Sequence, residues 1–303
     1  MAEKIYTDVE RRHDFVILFD VTDGNPNGDP DAGNLPRVDP ETMHGLVTDV
    51  CLKRKVRDYI DALKGADDRY KIYVQHRGIL AKEQQRAYKA VKAEPSDSAN
   101  EEARKWMCEN FFDVRMFGAV MTTGKTKESG KKWNCGQVRG PVQLTFARSI
   151  DPIIPLDVSI TRVALTNAGD TGVGSEDDEK ASSGQMGRKA LLPYGLYKAH
   201  GFFTPYFAKN IGVTSEDLDT FWAALINMWD LDRSASRGMM AVRGLYVFSH
   251  ENGLGNAPAH SLFDRVSIDR REGVAAPRGF KDYEVRIDES DLPGGVNLTR
   301  LVG

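Results

Sequence analysis

The segment that most constrains this chain is residues 13–22, HDFVILFDVT, a short apolar run rich in β-branched and aromatic residues. Such a run reads as a buried strand. It stops abruptly. Residues 23–39 are Asp, Asn, Gly and Pro in dense succession, side chains that favour turns and positive φ over regular elements. Asp39-Pro40-Glu41 then predicts a helix start, with an N-cap, a proline at the first position and an acid in the first turn. Met43, Leu46, Val47, Val50, Val56, Tyr59, Ile60 and Leu63 follow at near-helical spacing, and Gly65 closes the pattern. The chain thus opens as strand, long polar loop and amphipathic helix.

Further along, residues 70–74 read as a strand, 83–92 as a helix, 93–102 as a polar surface linker and 104–112 as a helix. Residues 137–147 and 156–165 alternate as strands do, with Pro141 arguing for an edge or bulge in the first. Residues 191–207 are aromatic and strand-like, 216–231 form an apolar-faced helix, and 240–249 read as the final strand. Three long excursions interrupt this order, at 23–39, 122–134 and 167–189, and loops of that length are commonly functional or disordered. There is no internal repeat. One α+β domain spanning 1–303 with inserted segments fits this pattern.

The chain has 303 residues, enough for a sizeable core. Its 41 Lys plus Arg against 44 Asp plus Glu leave a net charge of −3, so it lacks the global basicity of many nucleic-acid binders. No run of about 18 apolar residues predicts a membrane span, and the charged start, MAEKIYTDVERRHD, has no apolar signal-peptide core. Cys51, Cys108 and Cys135 are odd in number and far apart, which supports neither a disulfide framework nor a zinc cluster. A reducing cytoplasm is the expected compartment, with no membrane partner.

Residues 23–34 are the richest in possible chemistry. Oxygen-bearing side chains fall at positions 1, 3, 5, 7, 9 and 12 from Asp23, with Gly28 at position 6, close to a calcium loop. Asn34 stands where a bidentate Glu is needed, two prolines interrupt the loop, and a strand precedes it. A plain Asx/Gly/Pro surface loop is the simplest alternative. A third reading uses the flanks: backbone amides beside Lys53, Arg54, Lys55 and Arg57 suit a phosphate chain. Positions 53 and 57, like 54 and 57, lie one turn apart on a helix, so part of this cluster shares a face. Without further context, a plain solvated helix surface is the simpler reading.

Lys125, Lys127, Lys131, Lys132 and Arg139, with Trp133 among them and Glu128 the one acid, give a basic segment with an interposed aromatic. That combination suits single-stranded nucleic acid, or a solubilising loop. Gly184 to Lys189 places Met186 as a possible wedge between bases and Arg188 and Lys189 as possible phosphate ligands. Ser234 to Gly238, with Arg237, is a weaker site of the same kind. No H-E-x-x-H, G-x-S-x-G or Walker motif occurs. No enzymatic activity and no cofactor are expected. The alternative is a metal-dependent ribonuclease acting through the Asp23–Asp31 loop.

The stretches FDVTDGNPNGDPDAGNLPRVDPETMHGLVTDVCLKRKVRDY (19–59), DVRMFGAV (113–120) and GQVRGPVQLTFARSIDPI (136–153) resemble the CRISPR RNA-binding backbone subunit of type I Cascade effector complexes, most closely the type I-C form. The resemblance runs over about residues 15–248. It implies a modified RRM-like (ferredoxin-like) palm with a finger at 81–134 and a thumb at 167–189. It also implies several copies stacked helically along one CRISPR RNA, presenting the guide to a target DNA strand. The other implied partners are the large subunit, the small subunits, the subunit at the RNA 5′ handle and, indirectly, a recruited helicase-nuclease. By the same resemblance, Asn25, Asn27, Lys53, Arg54 and Arg57 become RNA-backbone contacts, with Arg37 between them. Met186 and Arg188 fall on the thumb. The sequence lacks the RNP1 octapeptide of a classical RRM, so base stacking on the sheet is not expected. Any such subunit must hold phosphate and sugar while leaving base edges free to pair.

Overall fold

A computed structural model describes residues 4–122, 132–161 and 186–303. In chain order its strands and helices begin with β1 (His13–Gly24), β2 (Gly28–Asp29), β3 (Leu35–Pro36), β4 (His44–Val47), α1 (Asp49–Lys64), α2 (Leu80–Ala90), α3 (Asp97–Asn110) and α4 (Phe112–Phe117). They continue with β5 (Gly118–Thr122), β6 (Asn134–Arg139), β7 (Val142–Leu144), β8 (Ala147–Pro152), β9 (Leu156–Thr161), β10 (Met186–Phe203), α5 (Pro205–Ala208) and α6 (Ser215–Leu231). The last are β11 (Met239–His250), α7 (Ala259–Phe263), β12 (Val266–Arg270), β13 (Tyr283–Ile287) and β14 (Val296–Val302).

The central sheet is antiparallel throughout, in the order β14-β11-β1-β10-β8-β4, with β7 and β9 pairing onto opposite ends of the long β10. Alternation along β1 sends Phe15, Ile17, Phe19 and Val21 to one face, where α1 contributes Leu52, Val56 and Ile60 and α6 contributes Phe221, Trp222, Leu225 and Trp229. Val16 and Leu18 go to the other face, against Leu262 and Phe263 of α7 and Val266 of β12. A strand covered on both faces needs apolar residues at nearly every position, which is why residues 13–22 read as one continuous run. A second apolar cluster joins α2, α3 and the paired strands β5 and β6 through Tyr88, Ala103, Met107, Phe111 and Trp133.

Several sequence expectations are corrected. The helix does not start at Asp39-Pro40-Glu41. Those residues form a turn closed by the Met43 amide on the Asp39 carbonyl at 2.8 Å, with Met43 at φ 57°, and β4 then pairs with β8. The helix begins one strand later, where the Thr48 hydroxyl accepts from the Cys51 amide at 3.2 Å. Residues 70–74 form no strand. The amides of Tyr73 and Val74 donate to the Asp113 carboxylate at 2.8 and 3.1 Å instead of to a neighbouring strand. Residues 97–102 of the expected linker 93–102 are helix, because Ser96 caps α3. Pro141 splits the strand expected over 137–147 into β6 and β7, and β10 ends at Phe203 with α5 following. Three strands follow β11, the last of them in the central sheet.

Candidate nucleic-acid interface

Residues 25–37 form a braced structure. The Asn25 amide donates to the Ser236 carbonyl at 2.7 Å, and the Asn25 Nδ2 donates to the Asn34 carbonyl at 2.7 Å. Arg237 donates from one guanidinium nitrogen to the carbonyls of Asn25 and Pro26, each at 3.0 Å. The two backbones approach so closely that a Cβ on Gly24 would lie 1.9 Å from the Arg237 carbonyl oxygen, and one on Gly238 would lie 2.3 Å from that of Thr22. Only glycine fits at either position. Asn27 then ties the loop to the helix, its Oδ1 accepting from both the amide and the hydroxyl of Thr48 at 3.0 Å. Arg37 continues the bracing through its amide on the Asn27 carbonyl at 3.2 Å, and its guanidinium lies 3.4 Å from Asp29.

The four cations clustered at positions 53, 54, 55 and 57 of α1 have four different settings. Lys53 lies 3.1 Å from Asp49, 3.5 Å from the Gln143 side-chain oxygen and 5.7 Å from the Phe117 ring centroid. Arg54 is 63% exposed, with Asp58 at 3.8 Å. Lys55 is buried and paired with Asp232, which also meets Arg237 at 3.3 Å. Burial pulls the Lys55 ammonium down to about 8. Arg57 is largely buried, donating to Asp113 at 2.8 Å over the same Phe117 ring. So 53 and 57 share a face, as their spacing predicts, but it is the face turned to Phe117, and Arg54 alone of the four is open to solvent.

Beyond Gly24, which is paired with Leu192, β10 continues as an arm with β9, from Leu191 opposite Leu156 to Met186 opposite Thr161. Arg188 on this arm is 81% exposed and lies 3.3 Å from Asp157. Lys189 sits opposite Val158. Lys132 is exposed. Lys125, Lys127, Lys131 and residues 167–185 lie outside the described residues.

The acids at the start of the loop form no metal centre. Asp29 accepts from the Asp31 amide at 3.2 Å and pairs with Arg37, while Asp23 and Asp31 are exposed. Among the described residues no group of three His, Cys, Asp or Glu side chains could hold a metal ion. The calcium-loop reading fails on architecture too, since residues 23–34 connect strands rather than helices.

Three residues of this surface carried no signal in the sequence. Gln143 bridges Lys53 to the Gly140 carbonyl, which its Nε2 reaches at 3.3 Å. Phe207 receives the Arg139 guanidinium 4.1 Å from its ring centroid, and exposed Tyr206 stands beside it. Positions 139 and 207 are too distant in sequence for any local pattern to pair them.

The family model described as CRISPR-associated protein Cas7 matches residues 11–288. This chain belongs to the Cas7 family. A Haloferax volcanii protein described as CRISPR-associated protein Cas7 is 28% identical over 234 residues, 71% of this chain and 64% of that protein. The chain therefore spans less than two thirds of that Cas7 relative's length. Among solved structures, a chain from a CRISPR RNA-guided surveillance complex, pre-nicking, aligns with a TM-score of 0.48 at 16% identity, over 78% of this chain and 75% of that one. A chain from the Type III-B Cmr-beta complex bound to cognate target RNA aligns with a TM-score of 0.39 at 10% identity, over 78% and 61%.

Proposed function

We propose that this Cas7-family chain is a non-catalytic backbone subunit that polymerises along CRISPR RNA in a type I Cascade complex, of the I-C form that its sequence resembles. It works in the cytoplasm, presents the guide to a target DNA strand, and meets the large, small and 5′-handle subunits before a helicase-nuclease is recruited. Its palm is of the RRM-like kind. The order β11-β1-β10-β8, with α1 after β1 and α6 between β10 and β11, supports that reading. The face opposite those helices, where an RRM stacks bases, is covered here by α7 and the β12 segment. RNA must then run along an edge, held by its backbone. Residues 81–134 would be the finger, and the β9–β10 arm the base of the thumb.

One observation carries the reading. The loop bearing Asn25, Asn27 and Arg37 is locked onto the Thr48 cap immediately before Lys53 and Arg54, so amides and cations are fixed together before any RNA arrives. Preorganisation of this kind saves the ordering cost of binding. It suits sequence-independent contact with phosphate and sugar.

The test combines Lys53→Ala with Arg54→Ala. Affinity for single-stranded RNA should fall about equally for unrelated sequences, and the salt slope should shrink by about 0.7 per lost phosphate contact. Unchanged binding, or a loss confined to one sequence, rejects the reading. Labelled RNA incubated with the purified protein and Mg²⁺ or Mn²⁺ should stay intact; cleavage abolished by Asp23→Ala would replace this proposal with the ribonuclease.

A further inference from the structure

Most cations named above already have a carboxylate: Lys53 has Asp49, Arg57 has Asp113, Arg37 has Asp29 and Arg188 has Asp157. Arg139 differs. It is exposed, forms no ion pair with any described residue, and its guanidinium sits 4.1 Å from the ring centroid of Phe207. A cation–π contact fixes the orientation of a guanidinium without neutralising it. Beside it Tyr206 leaves 70% of its surface in solvent, its ring 5.3 Å from that of Phe207 and nearly perpendicular to it, at 78°. Lys209, one turn on, is also exposed and without an ion pair to any described residue.

This shelf is physically continuous with the Lys53 site. Lys53 meets Gln143, and Gln143 meets the carbonyl of Gly140, the residue after Arg139. The Thr204 amide donates to the Pro141 carbonyl at 3.0 Å, which docks the start of α5 and its two aromatic rings onto the same turn. A free ring with unpaired cations around it matches a base with its neighbouring phosphates, and every base has a face to offer. An acidic partner surface would use the cations but leave the tyrosine ring idle.

We propose that the Arg139–Phe207–Tyr206 shelf holds one nucleotide of the single strand engaged at Lys53, its base stacked on Tyr206 and its phosphate on Arg139 and Lys209. The inference rests on the RNA-holding reading above and extends it to the far side of Gln143. The full-length chain is titrated with fluorescently labelled single-stranded RNA of several unrelated sequences. Tyr206→Ala should weaken binding about tenfold for all of them, Tyr206→Phe should restore it, and Arg139→Gln should reduce the salt slope by about 0.7. Tyr206 is exposed, so its truncation leaves the core intact.

If both shelf variants bind like the parent while the Lys53→Ala/Arg54→Ala variant binds weakly, the shelf proposal is overturned and the RNA-holding reading stands. If the Lys53/Arg54 variant binds normally and the shelf variants bind weakly, the loop loses its assignment and the shelf is not an extension of a strand held at Lys53, which overturns the proposal as stated. A Tyr206→Ala chain with parental RNA affinity but weaker self-association in sedimentation would make the shelf a contact between copies, and would also overturn the proposal.

Discussion

Two regions of this protein handle arginine in opposite ways. At the seam between α4 and α6, Arg115 is fully buried and bidentate with Asp217, at 2.7 and 3.1 Å, and donates further to the carbonyls of Cys108 and Arg69. At the edge formed by residues 25–37, α1 and β7, Arg54 has a single carboxylate at 3.8 Å and Arg139 has none among the described residues. The seam satisfies its cations internally, and the edge leaves these two available. Charge available for a polyanion is therefore set by what surrounds each side chain, and the net charge of −3 says little about it.

The strongest way to break this comparison is at Asp217, which also accepts from Arg69 at 2.8 Å and caps α6 through the Thr214 amide at 2.9 Å. Burial pushes its carboxyl pKa up, but the hydrogen bonds and charge of Arg115 outweigh that and hold it below the ordinary value. Asp217→Asn leaves Arg115 buried without a counter-charge, which costs about 3–5 kcal/mol. The urea midpoint should drop accordingly at constant slope, while the fraction still folded binds RNA as the parent does. A loss below about 1 kcal/mol would mean that the seam is no more dependent on its ion pair than the edge.

A second test uses pH at the end of the sheet away from the loop. His13 is buried, its ring nitrogens 2.9 Å from the Ser249 hydroxyl and 2.8 Å from the Asp8 carbonyl. The titratable groups near it are Asp8, Asp14 and His250, and Asp14 is bound in turn by Arg12 and His250 at 2.9 and 3.0 Å. Burial lowers the His13 pKa from 6.5 to about 4. Because the unfolded chain takes up this proton first, the contribution of His13 is complete above pH 6.5 and is lost as pH falls towards 4. The loss amounts to about 3 kcal/mol across that window. Urea midpoints measured from pH 7 to 4 should show the slope, and His13→Gln should flatten it.

The strands and helices that bury a face were legible from the sequence: β1, α6 and β11 follow from runs and periodicity read locally. Residues 39–47 were not, because a helix-start signal at Asp39-Pro40-Glu41 competes there with an edge strand whose partner, β8, lies about a hundred residues away. The α1 cations show the same limit. Periodicity correctly put Lys53 and Arg57 on one face, but whether that face meets solvent or Phe117 depends on a residue sixty positions further on. The loop was legible by composition as an Asx-, Gly- and Pro-rich segment, whereas its brace from Ser236 and Arg237 was not, being a contact across more than two hundred residues.

Arg237 gives the smallest effect and the sharpest distinction between the two regions, because it sits at the edge yet is bonded like a residue of the seam. Its guanidinium is occupied by the carbonyls of Asn25 and Pro26 and by Asp232, so it should support the loop rather than touch phosphate. Arg237→Ala removes the charged donor from two carbonyls, of which Pro26 keeps the Cys51 thiol at 3.5 Å. The stability loss should be about 1–2 kcal/mol. RNA affinity should fall as the loop loosens, while the salt dependence of binding keeps its parental slope, since no phosphate contact is removed. A slope reduced by about 0.7 would instead identify Arg237 as a phosphate ligand, and would place it with Arg54 and Arg139 on the side of the molecule that leaves its cations free.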